Sequence, residues 1–529
     1  MAQYKVLVMD NVSEKGLEPL RKEPDIEVVI GKKMTEDELV EVIGEYDAMI
    51  VRSATKVTAR VLENAPKLKV VGRAGVGVDN IDLNAATQRG VLVVNAPDGN
   101  TIAATEHTIA MMLALARNIP QAVAKMKNGV WDKKAFLGVE LRGKTLGIIG
   151  LGRIGSAVAK RAQAMEMDIV AYDPYISEEK AESLGIRLVA FEELLSVADF
   201  ITIHMPKTKE TYHMLDERAF SLMKDGVRVI NCARGGIVDE EALYKYMKSG
   251  KVAGAALDVF EKEPNTESPL LELDNFIATP HLGASTAEAQ LNVALDVAEE
   301  IVEALQGKVV RNTVNIPSIS PDVMAKVKPY LKLAEKLGKF QAQLVEGRVT
   351  KLEITYSGAL AGEEVKPITT ALVKGFLDPI LQESVNFINA PLLAKNRGIS
   401  VTQTVNGAAN GYASLITLKV ISDKGEKSLS GTLFRDNEPR IVMVDGYRID
   451  TKPEGYMLYV PHIDKPRIIG PVGMLFGEHN INIAGMQVGR KEVGGKAVMM
   501  LSVDAPVPED TLKAIAEIDG VLDVKFVSL

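Results

Sequence analysis

Three side chains have the types needed to move a proton and hold a small acid. They are His281 in Ala278-Thr-Pro-His-Leu-Gly-Ala284, Glu263 in Asp258-Val-Phe-Glu-Lys-Glu-Pro264, and Arg234 in Asn231-Cys-Ala-Arg-Gly-Gly236. An imidazole takes and returns a proton near neutral pH, and a carboxylate beside it fixes its tautomer and raises its pKa. A guanidinium presents parallel N–H groups that match a carboxylate. The set suits removal of a proton from a hydroxyl beside a carboxylate, provided something else accepts the hydride. Each residue alone has a plainer reading: a turn cap after proline, a solvated loop acid, a glycine-rich βα turn. Their shared position at successive strand ends of one α/β segment is what makes them a set.

A hydride acceptor is implied by residues 146–173, LGIIGLGRIGSAVAKRAQAMEMDIVAYD, which read as buried strand, glycine turn, helix and acid-tipped strand. Gly150 allows a tight turn out of the strand, Gly152 leaves room for a pyrophosphate, and Gly155 lets helix and sheet pack closely. The helix N-terminus points free N–H groups at the phosphates. Asp173 can accept hydrogen bonds from both ribose hydroxyls, and Pro174-Tyr175 supplies no arginine for a 2′-phosphate, which favours NAD over NADP. A second glycine run, Gly72-Arg-Ala-Gly-Val-Gly77, follows the strand-like residues 68–71 but leads to a strand ending in Asn95 rather than an acid. It reads as a backbone nest able to bind an anion, or as a plain βα turn.

The elements that must position these residues need a long chain, and 529 residues allow three to four domains. Apolar residues make up 47% and charged residues 25%, so each domain can bury a core. A net charge of −8 argues against general nucleic-acid binding. The N-terminus runs directly into a strand and no apolar run has spanning length, so neither a signal peptide nor a membrane partner is expected. A single cysteine, Cys232, precludes an intrachain disulfide. No metal site is expected, and a cytoplasmic setting fits.

Along the chain, the first ~95 residues alternate strands with helices, predicting a parallel sheet. A long helix is predicted over 101–116, further strands near 169, 200, 228, 254 and 276, and a capping box Ser285-Thr-Ala-Glu288 opening a helix over 287–305. That helix should return to the first lobe, so residues 1–97 and 284–314 form one domain and 98–283 the dinucleotide domain, with a cleft between them. Residues 315–321, with two prolines, read as a linker. Residues 315–452 then make a further α/β domain, and 453–529 follow a ferredoxin-like βαββαβ order with a Gly494-Gly495 hairpin.

The motifs Val-Gly-Arg-Ala-Gly-Val-Gly-Val-Asp79, Gly150-Leu-Gly-Arg-Ile-Gly155, Asn-Cys-Ala-Arg-Gly-Gly-Ile-Val-Asp239, Ala-Ala-Leu-Asp-Val-Phe260 and Pro-His-Leu-Gly-Ala-Ser285 together resemble the D-isomer-specific 2-hydroxyacid dehydrogenases. The domain order resembles that family's long form, with an intervening domain and a C-terminal ACT domain. The resemblance implies two Rossmann-like or flavodoxin-like lobes with doubly wound parallel sheets. It implies NAD-dependent oxidation of 3-phospho-D-glycerate to 3-phosphohydroxypyruvate, with Arg234 on the substrate carboxylate, His281 as acid/base and Glu263 orienting it. It also implies cofactor contacts from Arg153, Ile154, Asp173, Pro206, Cys232, Ala233, Arg234, Asp258, His281, Gly283 and Ala284. Cys232 is then a backbone contact rather than a nucleophile.

For the phosphate, the resemblance points to Arg52, Ser53 and the nest Gly75, Val76 and Gly77, with Lys133 reaching a neighbouring subunit's site or remaining a solvated loop lysine. In the tail it implies an L-serine effector site at His462, Asp464 and Asn482, although Arg467 stands where the family has a glycine. Arg440, Arg448 and Lys452 are candidates for a second anion site, with a solvated basic edge as the plainer reading. A homo-oligomer, favoured as a tetramer, completes the expectation. Two alternatives stay open: another D-2-hydroxy acid as substrate (2-hydroxyglutarate, glyoxylate or glycerate), and an NAD(H)-sensing corepressor-like binding protein.

Overall fold

The computed structural model describes residues 3–529 apart from 318, 383 and 410. The first sheet is wholly parallel, in the order Ile26–Ile30, Tyr4–Val8, Ala48–Val51, Val70–Arg73, Leu92–Asn95. That is the flavodoxin-type order, in which the first strand to be made ends up second. Its central strands are apolar because helices cover both faces. The second sheet is also parallel and runs Phe276–Ala278, Val252–Leu257, Val227–Asn231, Phe200–Ile203, Thr145–Ile149, Asp168–Tyr172, Arg187–Leu188. The order reverses beside Thr145–Ile149, which leaves a crevice at the carboxyl ends of that strand and Phe200–Ile203. The doubly wound expectation holds for both lobes.

Two long helices join the lobes. Thr101–Arg117 packs under the second sheet through Met111, Met112 and Leu115. Ala287–Leu305 returns to the first, where Val293, Val297 and Ile301 enter the core with Val8, Ile50 and Val94. The cap of this returning helix differs from expectation. Thr286, not Ser285, is the N-cap, its hydroxyl accepting from the N–H of Ala289, so the reciprocal glutamate of a capping box has no place.

The predicted linker, whose residue 318 lies outside the described residues, is built into the fold at both of its ends. Asn315 is stitched to the first lobe, accepting from Val93 N–H and donating to the Val91 carbonyl, and Pro321 opens a helix that runs to Leu344 behind the Ser320 cap. Proline suits that first-turn position because the N–H it lacks would be unpaired there anyway.

The third sheet is mixed: Ser400–Asn406 pairs parallel with Val349–Gly358, and the remaining strands, through Tyr447–Thr451, are antiparallel. The last sheet has the order Ile483–Arg490, Lys496–Val503, Tyr456–Ile463, Lys525–Ser528, the antiparallel ferredoxin-like plan. One face of it packs Met457, Tyr459, Val498 and Met500 into the same core as Leu333, Leu337 and Phe340 of the helix Pro321–Leu344. The two C-terminal sheets are therefore buttressed on one helix. Asn386 and Asn389 dock this half on the first lobe through the carbonyls of Gly90 and Gln88.

Candidate active site

His281 sits on the turn after Phe276–Ala278 with φ +58°, a left-handed conformation that a non-glycine residue adopts only when held there. Its N–H donates to the Asp258 carbonyl at 2.9 Å, and Nδ1 lies 2.8 Å from Glu263 Oε2. The other Glu263 oxygen accepts from Phe260 N–H at 3.0 Å, which fixes the carboxylate plane. The hydrogen bond to Glu263 holds the His281 pKa above its usual value against the opposing effect of burial. Burial favours a protonated Glu263, yet the bonds from His281 and Phe260 outweigh it and keep that pKa low. Nε2 is left for the substrate hydroxyl, and the pair can accept its proton while the neighbouring carbon loses hydride.

Arg234 follows the strand Val227–Asn231, and its guanidinium reaches across to the first lobe. Nε is 3.4 Å from Asp79 Oδ2, and a Cβ on Gly77 would fall 2.2 Å from Nη2. Gly75, at φ +152°, is covered in the same way by Arg73: a Cβ there would lie 1.6 Å from Nη1. The nest glycines thus admit two guanidiniums against the backbone. Arg52 is placed nearby, its N–H donating to Asp10 and its carbonyl accepting from Asn80.

Arg73 was not among the expected ligands, although it stands inside the nest motif. Burial, then repulsion from Arg234 and Arg52, pushes its pKa down to about 10. Its buried Nε has no hydrogen-bond partner among the described residues. Nη1 donates to the Ala74 carbonyl, but a guanidinium with one buried donor unpaired beside two other cations is costly unless an anion completes it. The signal was present in the sequence as an arginine between nest glycines, but no spacing rule shows that its side chain folds back over Gly75.

The glycine turn fits a dinucleotide. Gly150 has φ +96°, and a Cβ on Gly155 would sit 2.0 Å from the Gly150 carbonyl oxygen, so helix and strand touch there. Around Gly152, the N-cap of the helix Arg153–Ala164, a Cβ would meet nothing within 4 Å, which leaves open space where a pyrophosphate would approach. Asp173 ends its strand beside this turn and accepts from Leu151 N–H and Tyr175 N–H, with lone pairs left for ribose hydroxyls. Arg153 pairs with Asp98 at the interlobe crossing. Pro206 is exposed beyond Phe200–Ile203, its carbonyl accepting from Thr211.

Cys232 is buried, and burial and Asp258 push its thiol up to about 12, so it is no nucleophile. Gly283 and Ala284 follow His281 on the same turn, and Gly283 N–H donates to Asp258. Ser53 and Val76 border the Arg52 and Gly75 positions, with Val76 held through its carbonyl by Asn95. Lys133 lies in an exposed segment away from these bonds.

The tail positions differ in character. His462 is buried with Nδ1 against the Val460 carbonyl, Asp464 takes Arg490 and the Gly494 N–H, and Asn482 donates to Asp504. Arg467 adopts φ +70°, so its turn keeps a glycine-like backbone with an arginine on it. Arg440 and Lys452 both pair with Glu438, and Arg440 also with Asp450, while Arg448 stands exposed on the adjoining strand. No group of histidine, cysteine and acid side chains among the described residues could hold a metal ion.

Comparison with known proteins identifies the domains. Residues 109–283 match the D-isomer specific 2-hydroxyacid dehydrogenase NAD binding domain, 326–445 the D-3-phosphoglycerate dehydrogenase intervening domain, and 456–520 the ACT domain. The D-3-phosphoglycerate dehydrogenase of Archaeoglobus fulgidus is 49% identical over 99% of this chain and 100% of its own. That of Bacillus subtilis is 46% identical, with the same coverage. The chain belongs to the D-3-phosphoglycerate dehydrogenase family. Among solved structures, a Thermus thermophilus protein is similar at 35% identity and TM-score 0.55, covering 59% of this chain and 99% of its own. The apo D-lactate dehydrogenase of Escherichia coli is similar at 29% identity and TM-score 0.53, over the same shares. The two lobes are thus the part shared across the wider dehydrogenase family, and residues 109–283 are an NAD-binding domain.

Proposed function

We propose that this chain oxidises 3-phospho-D-glycerate to 3-phosphohydroxypyruvate with NAD, the first step of phosphorylated serine synthesis. The observation that carries the choice of substrate is the Arg52, Arg73 and Arg234 cluster, with its buried unpaired Nε, next to the His281–Glu263 pair. Arg234 would take the carboxylate next to the reacting hydroxyl, and Arg73 and Arg52 the second anionic group that a phosphorylated acid carries. NAD, when bound, accepts the hydride from the carbon. His281 Nε2 takes the hydroxyl proton, and Glu263 stabilises the imidazolium that results.

The subunit would work in the cytoplasm as a homo-oligomer. Ile119, Val123 and Met126 share one exposed face of the helix Ile119–Lys127, and Trp131 and Leu137 follow, 80% and 91% exposed. Such a patch is suited to a second copy, which would bring Lys133 toward the partner's cleft. Pairing of the C-terminal domains would make a tetramer and complete an L-serine site at His462, Asp464 and Asn482.

The test is NADH formation with 3-phosphoglycerate, glycerate, lactate and 2-hydroxyglutarate, each with and without L-serine. Turnover on the phosphorylated acid far above the others is the expected result. Equal turnover on glycerate would remove the phosphate role, and no serine response would remove the effector role alone.

A further inference from the structure

His107 lies on the interlobe helix Thr101–Arg117 and points at the underside of the catalytic turn. Its Nε2 is 3.2 Å from Asp258 Oδ1 and 3.1 Å from Thr279 Oγ1. The Thr279 hydroxyl already donates to the same Asp258 oxygen at 2.6 Å, so Nε2 must carry a proton, which it donates to Thr279 Oγ1 while lying against the carboxylate. Asp258 has 0% exposure, and its carboxylate also receives Leu282 N–H at 2.7 Å and Gly283 N–H at 2.8 Å. One buried carboxylate therefore collects the interlobe helix, the end of the Phe276–Ala278 strand and both residues that follow His281.

We propose that His107 is a positioning residue for the reaction, anchoring the turn that carries His281 through its hydrogen bond to Thr279 and its contact with the Asp258 carboxylate. The proposal rests on the dehydrogenase reading above and deepens it. His281 holds a left-handed backbone, so its aim depends on the bonds made by its neighbours on either side. Burial favours the neutral form of Asp258, and the hydrogen bonds from His107, Thr279 and Leu282 overcome it, leaving the carboxyl pKa below its usual value. The titratable groups facing Asp258 are His107 from the interlobe helix, Cys232 from the end of Val227–Asn231, Glu263 from the following loop and His281 from the turn itself. Of these His107 alone brings a side-chain N–H against it, at 3.2 Å. Without that donor the carboxyl takes up a proton at higher pH, its protonated oxygen turns from acceptor to donor, and one of the two turn N–H groups loses its partner.

The experiment compares full-length His107→Leu and His107→Phe with His107→Gln, which keeps an N–H donor. Reduction of 3-phosphohydroxypyruvate by NADH is followed against pH, and NADH affinity is read by its fluorescence without substrate. In the Leu and Phe variants the acid limb of kcat moves to higher pH while the alkaline limb, set by His281, stays. At acid pH kcat falls about tenfold with little change in the KM of the oxo acid, and NADH binding weakens in parallel. Gln restores most of both. An acid limb that stays in place, or a kcat lowered equally at every pH, overturns the proposal. So does failure of both Leu and Phe variants to fold, because His107 would then serve the fold alone. The NADH titration is independent of the substrate, so an error in the substrate leaves its pH shift intact.

Discussion

The cleft and the tail both carry clustered cations, and they treat them in opposite ways. In the tail each cluster has its own counter-charge: Glu438 takes Arg440 and Lys452, Asp450 takes Arg440 again, and Arg490 closes on Asp464. Lys452 and Arg440 accordingly hold the Glu438 carboxyl below its usual pKa. In the cleft, repulsion among Arg52, Arg73 and Arg234 outweighs the attraction of Asp79 and Asp10, and a buried nitrogen of Arg73 has no partner among the described residues. Self-neutralised clusters stabilise a surface modestly and offer little to a ligand. A part-buried cluster with an excess of cations is unfavourable in the free protein and is relieved when an anion arrives, which is how a binding site stores selectivity.

The largest effects belong to the residues that complete this contrast in the cleft. Arg234→Ala and His281→Ala should each lower turnover about 10²-fold or more, with NAD binding largely kept. Wild-type rates in either variant would remove the mechanism. Glu263→Gln tests the electrostatics more finely. The carboxylate raises the His281 pKa, so the imidazole stays protonated to higher pH in the wild type. Oxidation, which needs the neutral ring, should therefore begin at lower pH in the variant, and reduction should fail at lower pH. The His281–Glu263 contribution to stability has the matching sign, present below the ordinary histidine pKa and lost as pH rises through the raised value. Rate profiles in both directions check it, and two unmoved profiles would place the pKa shift elsewhere.

Next in size is Arg73→Met. It should raise the KM for the phosphorylated acid about 10- to 100-fold, the worth of a charge-assisted hydrogen bond or two, while kcat changes less. The melting temperature should not fall, because the substitution removes a buried charge that two neighbouring arginines repel. A marked loss of stability with unchanged KM would make Arg73 structural and bring the cleft closer to the tail.

How much of this was legible in the sequence follows from locality. The strand, glycines, helix and acid of 146–173 lie on one continuous segment, so their geometry could be read from spacing: Gly150 takes a positive φ, a Cβ on Gly155 would enter the Gly150 carbonyl, and Gly152 faces open space. His281 and Glu263 were legible as a pair by type and strand-end position. Arg73 was not, because the fold-back of its side chain over Gly75 depends on tertiary packing. His107 gave no signal, since its partners Asp258 and Thr279 are far along the chain. The Ser285 capping box failed by one residue, because the hydroxyls of Ser285 and Thr286 are equally suited by type and only the backbone decides which one caps. The shared core of the two C-terminal sheets was invisible for the same reason as Arg73: alternating strand patterns tell which face is apolar but not which element covers it.

Two glycines of one motif separate fold from ligand more sharply still. Gly155→Ala should cost about 1–3 kcal/mol of stability, because its Cβ would enter the Gly150 carbonyl and backbone must shift. Gly152→Ala meets open space at φ −73°, so stability should hold while NAD binds about tenfold more weakly, the methyl occupying the pyrophosphate's approach. Calorimetry and NADH fluorescence on the two variants check the pair. Equal effects on both readouts would mean that the turn is not divided between packing and ligand.

The smallest expected effect asks whether the tail can be made to behave like the cleft. Glu438→Gln removes the acid shared by Arg440 and Lys452, leaving Asp450 on one side of Arg440 and freeing the Lys452 ammonium from its carboxylate. Those pairs are partly exposed, so their loss should change stability by less than about 1 kcal/mol. The released Lys452 ammonium, Arg440 with Asp450 as its remaining partner, and exposed Arg448 should then bind inorganic phosphate a few-fold more tightly than the wild type, and more so at low salt. Phosphate titration by calorimetry at two ionic strengths measures it. A gain would mean that Glu438 is the lock on a latent anion site at this edge. No gain would leave these cations as a solvated, self-paired rim, and the contrast with Arg73 would then rest on burial rather than on the missing acid.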